Sequence, residues 1–426
     1  MKPSGIEWIG DIPDDWEVKK VKRLFSYQKG KNAALLTKEY ISLHPGEYPV
    51  LSGQTENDGI LGYYESYEFD LDKDSIFVTT VGAKAMSTKL VNAKFSLSQN
   101  CALLHKIDEK ADVRFLHYAL FPMFEWQKSM ISLIMQPSLR FEDLDKATLP
   151  YPPLKTQERI ADYLDEKCGE IDATIAKQKE SIEKLKAYKQ SLISETVTKG
   201  LDKSAPLKPS GIDYLGDIPA HWEVKRIKEL FSFGKGLPIS KEDLIENGVP
   251  VINYGQIHSK DNNGTSIKDS LIRYVDLNYK NTNMTSLVES GDFIFADTSE
   301  DLDGCGNCIY VDSKYPIFAG YHCIILRSIK RNSSKYLAYL FQMDAWRTQI
   351  RRDVTGVKVF SISKKILGKS YILFPPRYEQ ECIVNYLQEK CNEIDVIINK
   401  KQNIIQKLDA YKKSLIFECV TGKFVI

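Results

Sequence analysis

The sequence predicts an α+β fold that is built twice, with two variable domains separated by two long antiparallel coiled-coil helices in a pseudo-two-fold internal repeat. The opening stretch "KPSGIEWIGDIPDDWEVKK" starts at Lys2 and returns from Lys208 as "KPSGIDYLGDIPAHWEVKR". A second stretch, 152–198, returns at 375–421 with 27 of 47 positions identical. The sequence between these repeats differs between the two copies. Each copy therefore consists of a leader, a variable region and a helical segment.

The second repeat has the spacing of a coiled coil, because apolar residues recur in steps of four and three. The seam positions are Leu164, Cys168, Ile171, Ile175, Gln178, Ile182, Leu185, Lys189 and Leu192 in the first copy, and Leu387, Cys391, Ile394, Ile398, Lys401, Ile405, Leu408, Lys412 and Leu415 in the second. Polar residues interrupt both seams at matching heights, which favours one register. Dimerisation of two chains is one interpretation, but two equal seams in one chain favour an internal pair.

Chain order favours an antiparallel pair of helices. The first helix delivers the chain to the second variable region, and an antiparallel second helix returns the C-terminal tail to the neighbourhood of Met1. The Pro-Pro pair before each helix excludes helix upstream, because the residue before proline avoids the α region.

The variable regions predict short strands followed by helix, which is an α+β arrangement. Strands are predicted at 49–53, 75–81, 102–107, 249–255, 291–298 and 323–329, and helical stretches at 113–130 and 333–350. The predicted domain boundaries are 1–150, 151–204, 205–374 and 375–426.

Composition and charge are those of an ordinary globular protein. The chain has 426 residues, of which 43% are hydrophobic and 27% charged, with a net charge of +1. Residues 1–150 carry 18 basic against 21 acidic side chains, and residues 205–374 carry 22 against 19. A nucleic-acid surface must therefore arise from local clustering. The absence of a long apolar run and of a signal segment predicts a cytoplasmic protein without a membrane partner.

Motifs for catalysis are missing from the sequence, so no catalytic residue is predicted. There is no phosphate-binding G-x-x-x-x-G-K-[ST] loop, and no G-x-G-x-x-G follows a strand. The two proline pairs, "YPPL" and "FPPR", lack the preceding Asn or Asp with which an amino-methyltransferase holds its target amine. "PDDWEVK" at 13–19 has the letters of a metal-dependent nuclease, but the second copy reads "PAHWEVK" and favours a surface turn.

No metal ligand is predicted either. Cys305 and Cys308 form a CxxC, but a zinc site needs about four ligands and no second pair completes this one. The acidic stretch 296–303 has the residue types of a metal site and is interpreted as a solvated loop. His322 has two interpretations: it contacts a ligand, or it is a core histidine whose hydrogen bonds are made within the protein.

Polar and aromatic loops that differ between the copies are the candidate DNA-binding surface. Gln and Asn can pair with adenine and Lys or Arg with guanine, whereas Ser and Thr suit phosphate. The candidates are Ser52, Gln54, Asn57, Thr80, Lys84, Gln99, Asn100, Ser138 and Arg140 in the first copy, and Tyr254, Gln256, Thr298, Ser299, Tyr321, His322, Lys358 and Ser361 in the second. The alternative is that these are ordinary turn residues.

Three stretches resemble the specificity subunit of type I restriction–modification systems. They are the leader "PSGIEWIGDIPDDWEVKKVKRLF" with its second copy, the helix openings "PPLKTQERIADYLDEKCGEID" and "PPRYEQECIVNYLQEKCNEID", and "YPVLSGQTENDGILGYY". The resemblance spans the whole chain. It implies two target recognition domains, 1–150 and 205–374, and two spacer helices, 151–204 and 375–426.

The resemblance also implies function and partners. Each target recognition domain would read one half of a bipartite, asymmetric site in double-stranded DNA. Two modification (methyltransferase) subunits would dock on the helices and leaders, and two restriction (motor–nuclease) subunits would join them. AdoMet, ATP and Mg²⁺ would belong to those partners, with no cofactor on this chain. The alternatives are a metal-dependent nuclease acting alone and a coiled-coil scaffold without a DNA role.

Overall fold

The computed structural model describes residues 1–53, 56–132, 135–212, 214–329, 335–356, 358–424 and 426. The chain forms two compact units, one made of Met1–Lys179 with Lys401–Ile426 and the other of Glu180–Lys400. Each unit therefore combines one variable region with parts of both long helices.

The first unit is built from strands on which α-helices pack. Its strands are β1 Lys2–Pro3, β2 Asp11–Ile12, β3 Glu17–Lys20, β4 Phe25–Gln28, β5 Pro45–Leu51, β6 Ile60–Tyr64, β7 Phe69–Asp70, β8 Ser75–Thr79, β9 Thr88–Val91, β10 Lys94–Leu97, β11 Cys101–Lys106 and β12 Thr148–Tyr151. Its helices are α1 Lys38–Leu43, α2 Val113–Ser129, α3 Phe141–Lys146 and the first part of α4 Leu154–Lys199. Strands and a helix predicted from the sequence within 49–129 are confirmed.

Two four-stranded sheets organise this unit, in the orders β6-β5-β10-β7 and β4-β11-β8-β9. Strands β5 and β10 run parallel, whereas β11 pairs antiparallel with both of its neighbours. Asp112 caps the N-terminus of helix α2, and its Oδ1 accepts hydrogen bonds from the backbone N–H groups of Arg114 and Phe115 at 2.8 and 3.0 Å. Its buried face, which includes Phe115 and Leu116, belongs to the main core of the unit.

The second unit repeats this plan with different lengths. Its strands are β13 Leu207–Pro209, β14 Asp217–Pro219, β15 Glu223–Arg226, β16 Phe231–Lys235, β17 Val249–Ile252, β18 Arg273–Val275, β19 Leu287–Val288, β20 Phe293–Ala296, β21 Thr298–Ser299, β22 Cys308–Tyr310, β23 Ile317–Ala319, β24 Cys323–Ser328, β25 Phe360–Ser361 and β26 Tyr371–Phe374. Its helices are α5 Ile227–Leu230, α6 Tyr254–Ile257, α7 Tyr279–Thr282, α8 Lys335–Leu340, α9 Asp344–Arg351, α10 Lys364–Lys369 and part of α11 Arg377–Val420.

Sheet topology shows that the duplication extends into the variable regions. The sheets of the second unit have the orders β18-β17-β23-β19 and β16-β24-β20-β22, with β17 parallel to β23. Two predictions need correction. The strand predicted over 249–255 ends at Ile252 and helix α6 follows, while the helical stretch 333–350 is two helices. Met343 breaks the latter because it is extended, with φ −70° and ψ 132°.

The long helices α4 and α11 pack together antiparallel in each unit. In the first unit, the early α4 residues Leu164 and Cys168 share a core with Cys419 near the end of α11. In the second unit, Val197 near the end of α4 shares a core with Ile383 near the start of α11. The predicted internal antiparallel pair is therefore confirmed.

Polar seam residues form hydrogen bonds or ion pairs with residues of the opposite helix. Lys401 Nζ lies 3.0 Å from Gln178 Oε1, and these two residues occupy the same position of the repeat, 223 residues apart. Lys412 lies 2.6 Å from Asp172 in the first unit. Its counterpart Lys189 lies 2.7 Å from Asp395, the counterpart of Asp172, in the second unit. The paired charges repeat with the sequence and specify one register.

Each repeated leader covers the end of a long helix. Gly422, just after α11, has φ +71°, and a Cβ there would lie 2.4 Å from Pro13 Cδ and 3.3 Å from the Trp16 ring. Gly200, just after α4, has φ +73°, and its Cβ would lie 3.2 Å from Trp222. Trp16 and Trp222 are the same position of the leader, so the leader is repeated because each unit has a helix end to cover.

The return of the tail to the N-terminal region is also confirmed. Lys423 Nζ donates a 2.8 Å hydrogen bond to the carbonyl of Ile9. Along the described ranges, no helix has the length and apolar character that crossing a membrane requires.

Candidate nucleic-acid interface

In the first unit, three separate segments meet where β5 and β8 end. The backbone N–H of Ser98 donates to the carbonyl of Leu51 at 2.9 Å, which joins the β5 end to the β10–β11 turn. The N–H of Thr80 donates to Asn100 at 2.7 Å, and the carbonyl of Thr80 accepts from Leu139 at 2.7 Å. These bonds gather residues that are far apart in sequence into one surface, here named cleft 1.

Cleft 1 encloses about 140 Å³. It is lined by Ser52, Gly53, Asp58, Gly59, Phe77, Thr79, Lys84, Ser87, Thr88 and Lys89. Gly53 is required for its shape, because a Cβ there would lie 2.5 Å from Thr79 Cγ2. The loop after β5 can therefore lie directly on the end of β8.

The predicted residues of the first copy fall into two groups. Ser52 and Thr80 are buried, and Ser52 lines the cleft, with its Oγ donating to the carbonyl of Gly59 at 3.2 Å. The exposed side chains at the cleft or on the segments that form it are Lys84, Gln99, Asn100, Ser138 and Arg140. Gln54 and the side chain of Asn57 lie outside the described residues.

Lys89 is a cleft residue that the sequence did not indicate. Its Nζ donates a 2.8 Å hydrogen bond to the carbonyl of Asp58 and lies 5.5 Å from the centre of the Phe77 ring. Burial lowers the pKa of its ammonium group. No sequence signal distinguishes it from other strand lysines, since its position depends on the pairing of β9 with β8.

The second unit has a cleft on the same backbone framework, here named cleft 2. The N–H of Gly320 donates to Ile252 at 2.7 Å, that of Asp297 to His322 at 3.0 Å, and that of Ile362 to Asp297 at 2.7 Å. These three bonds correspond one by one to those of cleft 1. They make Asp297 the counterpart of Thr80, and His322 the counterpart of Asn100.

Two further features are common to both frameworks. Val81 bridges to Ser138 in the first unit, and Thr298 pairs with Ser361 in the second. Asn100 and His322 both have left-handed backbones, with φ +67° and +52°. The clefts thus share a scaffold and differ in the side chains that the scaffold presents.

Cleft 2 is larger, about 730 Å³, and carries acidic side chains. It is lined by Tyr254, Gly255, His258, Thr298, Ser299, Glu300, Asp301, Asp303, Gly304, Asn307, His322, Arg347 and Val359. The structure therefore brings four predicted residues together here: Tyr254, Thr298, Ser299 and His322.

Aromatic rings form one side of cleft 2. The ring centre of Tyr254 lies 5.6 Å from that of Tyr321, 5.4 Å from His322 and 6.2 Å from His258. The His322 side chain is 56% exposed, and its Nδ1 lies 3.1 Å from Asp297 Oδ1. The interpretation of His322 as a core histidine is therefore wrong.

The other predicted residues of the second copy lie around this cleft. Gln256 is half-buried, and its Oε1 accepts a 3.2 Å hydrogen bond from the N–H of Asn253. Ser361 and Lys358 are exposed, and Lys358 is next to Val359 of the lining.

Two polar residues, one lining cleft 2 and one adjacent in sequence to its lining residue Tyr254, were not found from the sequence. Arg347 donates to Asn307 Oδ1 at 2.6 Å and to the carbonyl of Phe341 at 2.9 Å, and burial lowers the pKa of its guanidinium group. Asn253 is fully buried, and within the described ranges neither polar atom of its amide has a hydrogen-bond partner. A buried amide of this kind is rare in folded proteins.

Cys305 and Cys308 are both buried, and burial raises the pKa of the Cys308 thiol to about 12. Among the residues that the structure describes, His, Cys, Asp and Glu side chains nowhere form a group of three or more that could hold a metal ion.

The fold is thus an internally duplicated α+β protein with a cleft in each unit and paired long helices. A family model described as the type I restriction modification DNA specificity domain matches residues 13–186 and 219–407. The chain belongs to this family: it is a DNA specificity subunit of a type I restriction–modification system, a non-catalytic member of the complex.

Individual relatives agree with this assignment. The chain is 25% identical over 419 residues to the type I restriction enzyme MjaVIII specificity subunit of Methanocaldococcus jannaschii, covering 97% of this chain and 93% of that protein. It is 35% identical over 150 residues to a putative type I specificity subunit of Mycoplasma pneumoniae, covering 35% of this chain and 57% of that protein.

A solved structure has the same fold. It comes from a study of the structural basis underlying complex assembly and conformational transition of the type I R-M system. One of its chains superimposes with a TM-score of 0.67 at 14% identity, covering 97% of this chain and all of that chain.

Proposed function

We propose that cleft 1 and cleft 2 each read one half of a split site in double-stranded DNA. The observation that carries this proposal is the shared framework of backbone hydrogen bonds, on which the two clefts present different side chains. A common scaffold suits one kind of ligand, and unlike side chains suit two different base sequences.

The candidates that are exposed or half-buried supply the direct contacts in this proposal. In cleft 1, Gln99 and Asn100 have amides suited to adenine, while Arg140 and Lys84 suit guanine or phosphate. In the second unit, base or phosphate contacts come from Tyr254, Gln256, Thr298, Tyr321, His322, Lys358 and Ser361. Ser138, Gln54 and Asn57 complete the first set. The buried Ser52, Thr80 and Ser299 act indirectly, by positioning the residues that contact DNA.

Exchange of one variable region tests the proposal that each cleft reads one half of the site. Residues 32–148 are replaced by those of a relative with a different target, and methylated sites are mapped in a genome expressing the complex. One half of the recognised sequence should change while the other half and the gap remain. A change in both halves, or in neither, would contradict the proposal.

The long helices and leaders, in this proposal, dock two modification subunits. Its support is that the repeat presents the same exposed side chains twice. Tyr188 is 59% exposed, and Tyr411, at the same position of the second copy, is 56% exposed. An exposed tyrosine has the large, amphipathic surface that anchors protein interfaces.

Truncation of these tyrosines tests the docking surface. Tyr188→Ala and Tyr411→Ala should each weaken the binding of one modification subunit, by roughly 2 kcal/mol for an anchor residue. Native mass spectrometry should then show one bound subunit for each single variant and none for the double variant. Tyr315→Ala is the control, because Tyr315 is 77% exposed and lies outside the repeat. Two bound subunits in the double variant would rule out this surface.

The chemistry belongs to the partners in this proposal. AdoMet is bound by the modification subunits, ATP and Mg²⁺ by two restriction subunits, and the assembly acts in the cytoplasm. The purified chain, incubated with DNA, Mg²⁺, ATP and AdoMet, should yield neither methylated nor cut DNA. Cutting by the chain alone would favour a nuclease, and an unchanged target after exchange of both variable regions would favour a scaffold.

A further inference from the structure

We infer that His322, positioned by Asp297, is a specificity-determining residue of cleft 2 that accepts a hydrogen bond from the exocyclic amino group of a DNA base. The base is adenine or cytosine, read in the major groove through adenine N6 or cytosine N4. The inference rests on the proposed function and adds the chemistry by which the second half-site is read.

The backbone places His322 at a special position. Its φ of +52° is in the left-handed region, which residues other than glycine rarely adopt. The N–H of Asp297 donates to its carbonyl at 3.0 Å, which fixes the turn against the end of β20. The side chain nevertheless remains 56% exposed and lines the cleft. The fold thus holds the backbone firmly and leaves the imidazole accessible.

The contact with Asp297 selects the tautomer of the neutral imidazole. An ionised carboxylate can only accept, so the proton between Asp297 Oδ1 and His322 Nδ1, 3.1 Å apart, is on Nδ1. In the neutral imidazole the other nitrogen, Nε2, then has a lone pair and acts as an acceptor. The Tyr254 ring lies at an interplanar angle of 73° to the imidazole, with the ring centres 5.4 Å apart, and restricts the orientation of the imidazole.

An acceptor at this position selects among the bases. In the major groove, adenine and cytosine each present an amino group, whereas guanine and thymine present acceptor oxygens at the corresponding positions. A guanine or thymine facing Nε2 would place two acceptors together. The geometry therefore favours a base with an amino group at one position of the second half-site.

The first unit provides a natural comparison. At the positions of Asp297 and His322 it has Thr80 and Asn100, held by the same backbone contact at 2.7 Å. The Asn100 amide both donates and accepts, so it can form a bidentate pair with adenine. The same turn therefore presents a different hydrogen-bonding group in each cleft.

The first test removes single amino groups from the DNA. After the half-site of the second unit has been mapped by domain exchange, the assembled complex is bound to duplexes that carry one base analogue each. Purine replaces adenine and 2-pyrimidinone replaces cytosine, so the two arms distinguish the sources of the amino group. One analogue should weaken binding by at least about fivefold. If no position of the second half-site is sensitive, the inference is wrong.

The second test changes the protein. His322→Ala should abolish the sensitivity to that analogue, and Asp297→Thr with His322→Asn, which introduces the pair found in cleft 1, should change the preferred base there alone. His44→Asn is the matched control, because His44 also lies near a carboxylate, 3.6 Å from Glu65, but outside both clefts. An unchanged preference in the His322 variants would overturn the inference. Failure to map any half-site to the second unit would instead contradict the proposed function.

Discussion

At Gly422 the chain leaves helix α11 with φ +71° and passes directly against the leader. Left-handed backbone costs a residue with a Cβ about 1–2 kcal/mol. Here the Cβ would also lie 2.4 Å from Pro13, a rigid ring that cannot turn aside. Glycine is therefore required at this position by backbone conformation and by space together.

Replacement of Gly422 by alanine should destabilise the first unit through both effects. We expect the thermal unfolding midpoint to fall by about 4–8 °C, the equivalent of roughly 2 kcal/mol in a unit of this size. Gly5→Ala is the control, because Gly5 has φ +73° in the same unit but has no atom within 4 Å of its Cβ position. Gly5→Ala should lower the midpoint by about half as much. Equal shifts would show that the contact with Pro13 adds nothing.

In the proposed function, Lys84 is a candidate for a contact with the DNA phosphates rather than with a base. Because Lys84 is exposed at the rim of cleft 1, Lys84→Ala should weaken binding of the assembled complex to all DNA sequences evenly. The loss should be about fivefold at physiological salt, and the slope of log affinity against log salt should fall by about one. Lys73→Ala should leave both unchanged, since Lys73 is exposed near the opposite end of β8. A changed base preference in Lys84→Ala would show that Lys84 reads a base.

Among the elements, the long helices combine an apolar seam with polar interruptions. Apolar seam residues such as Leu164 and Leu387 are fully buried, whereas Gln178 and Lys401 meet in the same interface and are only half-buried. Polar groups at seam positions reduce stability and specify the register. The α4–α11 pair therefore gives up some stability for a defined alignment.

Replacement of Gln178 and Lys401 together by leucine should stabilise the helix pair. We expect the free energy of unfolding to rise by about 1 kcal/mol, because an amide and an ammonium group no longer have to leave water. Urea unfolding of the double variant measures this change. Single replacement of Gln178 by leucine is the comparison, and it should stabilise less because Lys401 loses its acceptor. A lower stability of the double variant would show that the polar contact is itself stabilising.

The whole molecule divides differently from the order of its sequence repeats. The first unit contains Met1–Lys179 and, from the far end of the chain, Lys401–Ile426. Leu415, Cys419 and Val420 of this tail are buried in the core of the first unit. The C-terminal segment therefore completes the N-terminal unit.

A chain that ends at Lys400 should consequently lose stability in the first unit and retain the second. Hydrogen exchange should show lost protection in α2 and β11, because their core loses the apolar side chains of the tail. Protection in β20 and β24 should persist, since the second unit is intact. Removal of 423–426 alone is the milder control. Equal loss of protection in both units would show that they fold as one.

The sequence alone determined the features that depend on local pattern. The α+β class, the helices α4 and α11 and their seam follow from spacing, because a helix brings every third or fourth residue to one face. Strands β8, β11, β20 and β24 follow from short apolar runs between turns. The duplicated plan follows from the repeats themselves. The domain boundaries and the individual DNA contacts remain predictions.

Only the tertiary structure decided how the clefts are built. Nothing in the letters "SQNC" and "GYHC" shows that Asn100 and His322 occupy one position of a common framework. That equivalence depends on backbone hydrogen bonds between distant segments, from the N–H of Thr80 to the carbonyl of Asn100 and from the N–H of Asp297 to the carbonyl of His322. Lys89 and Arg347 were missed for the same reason. The periodicity of a sequence predicts which residues share one face of a helix or strand. A cleft, in contrast, is formed by distant segments that come together only in the folded chain.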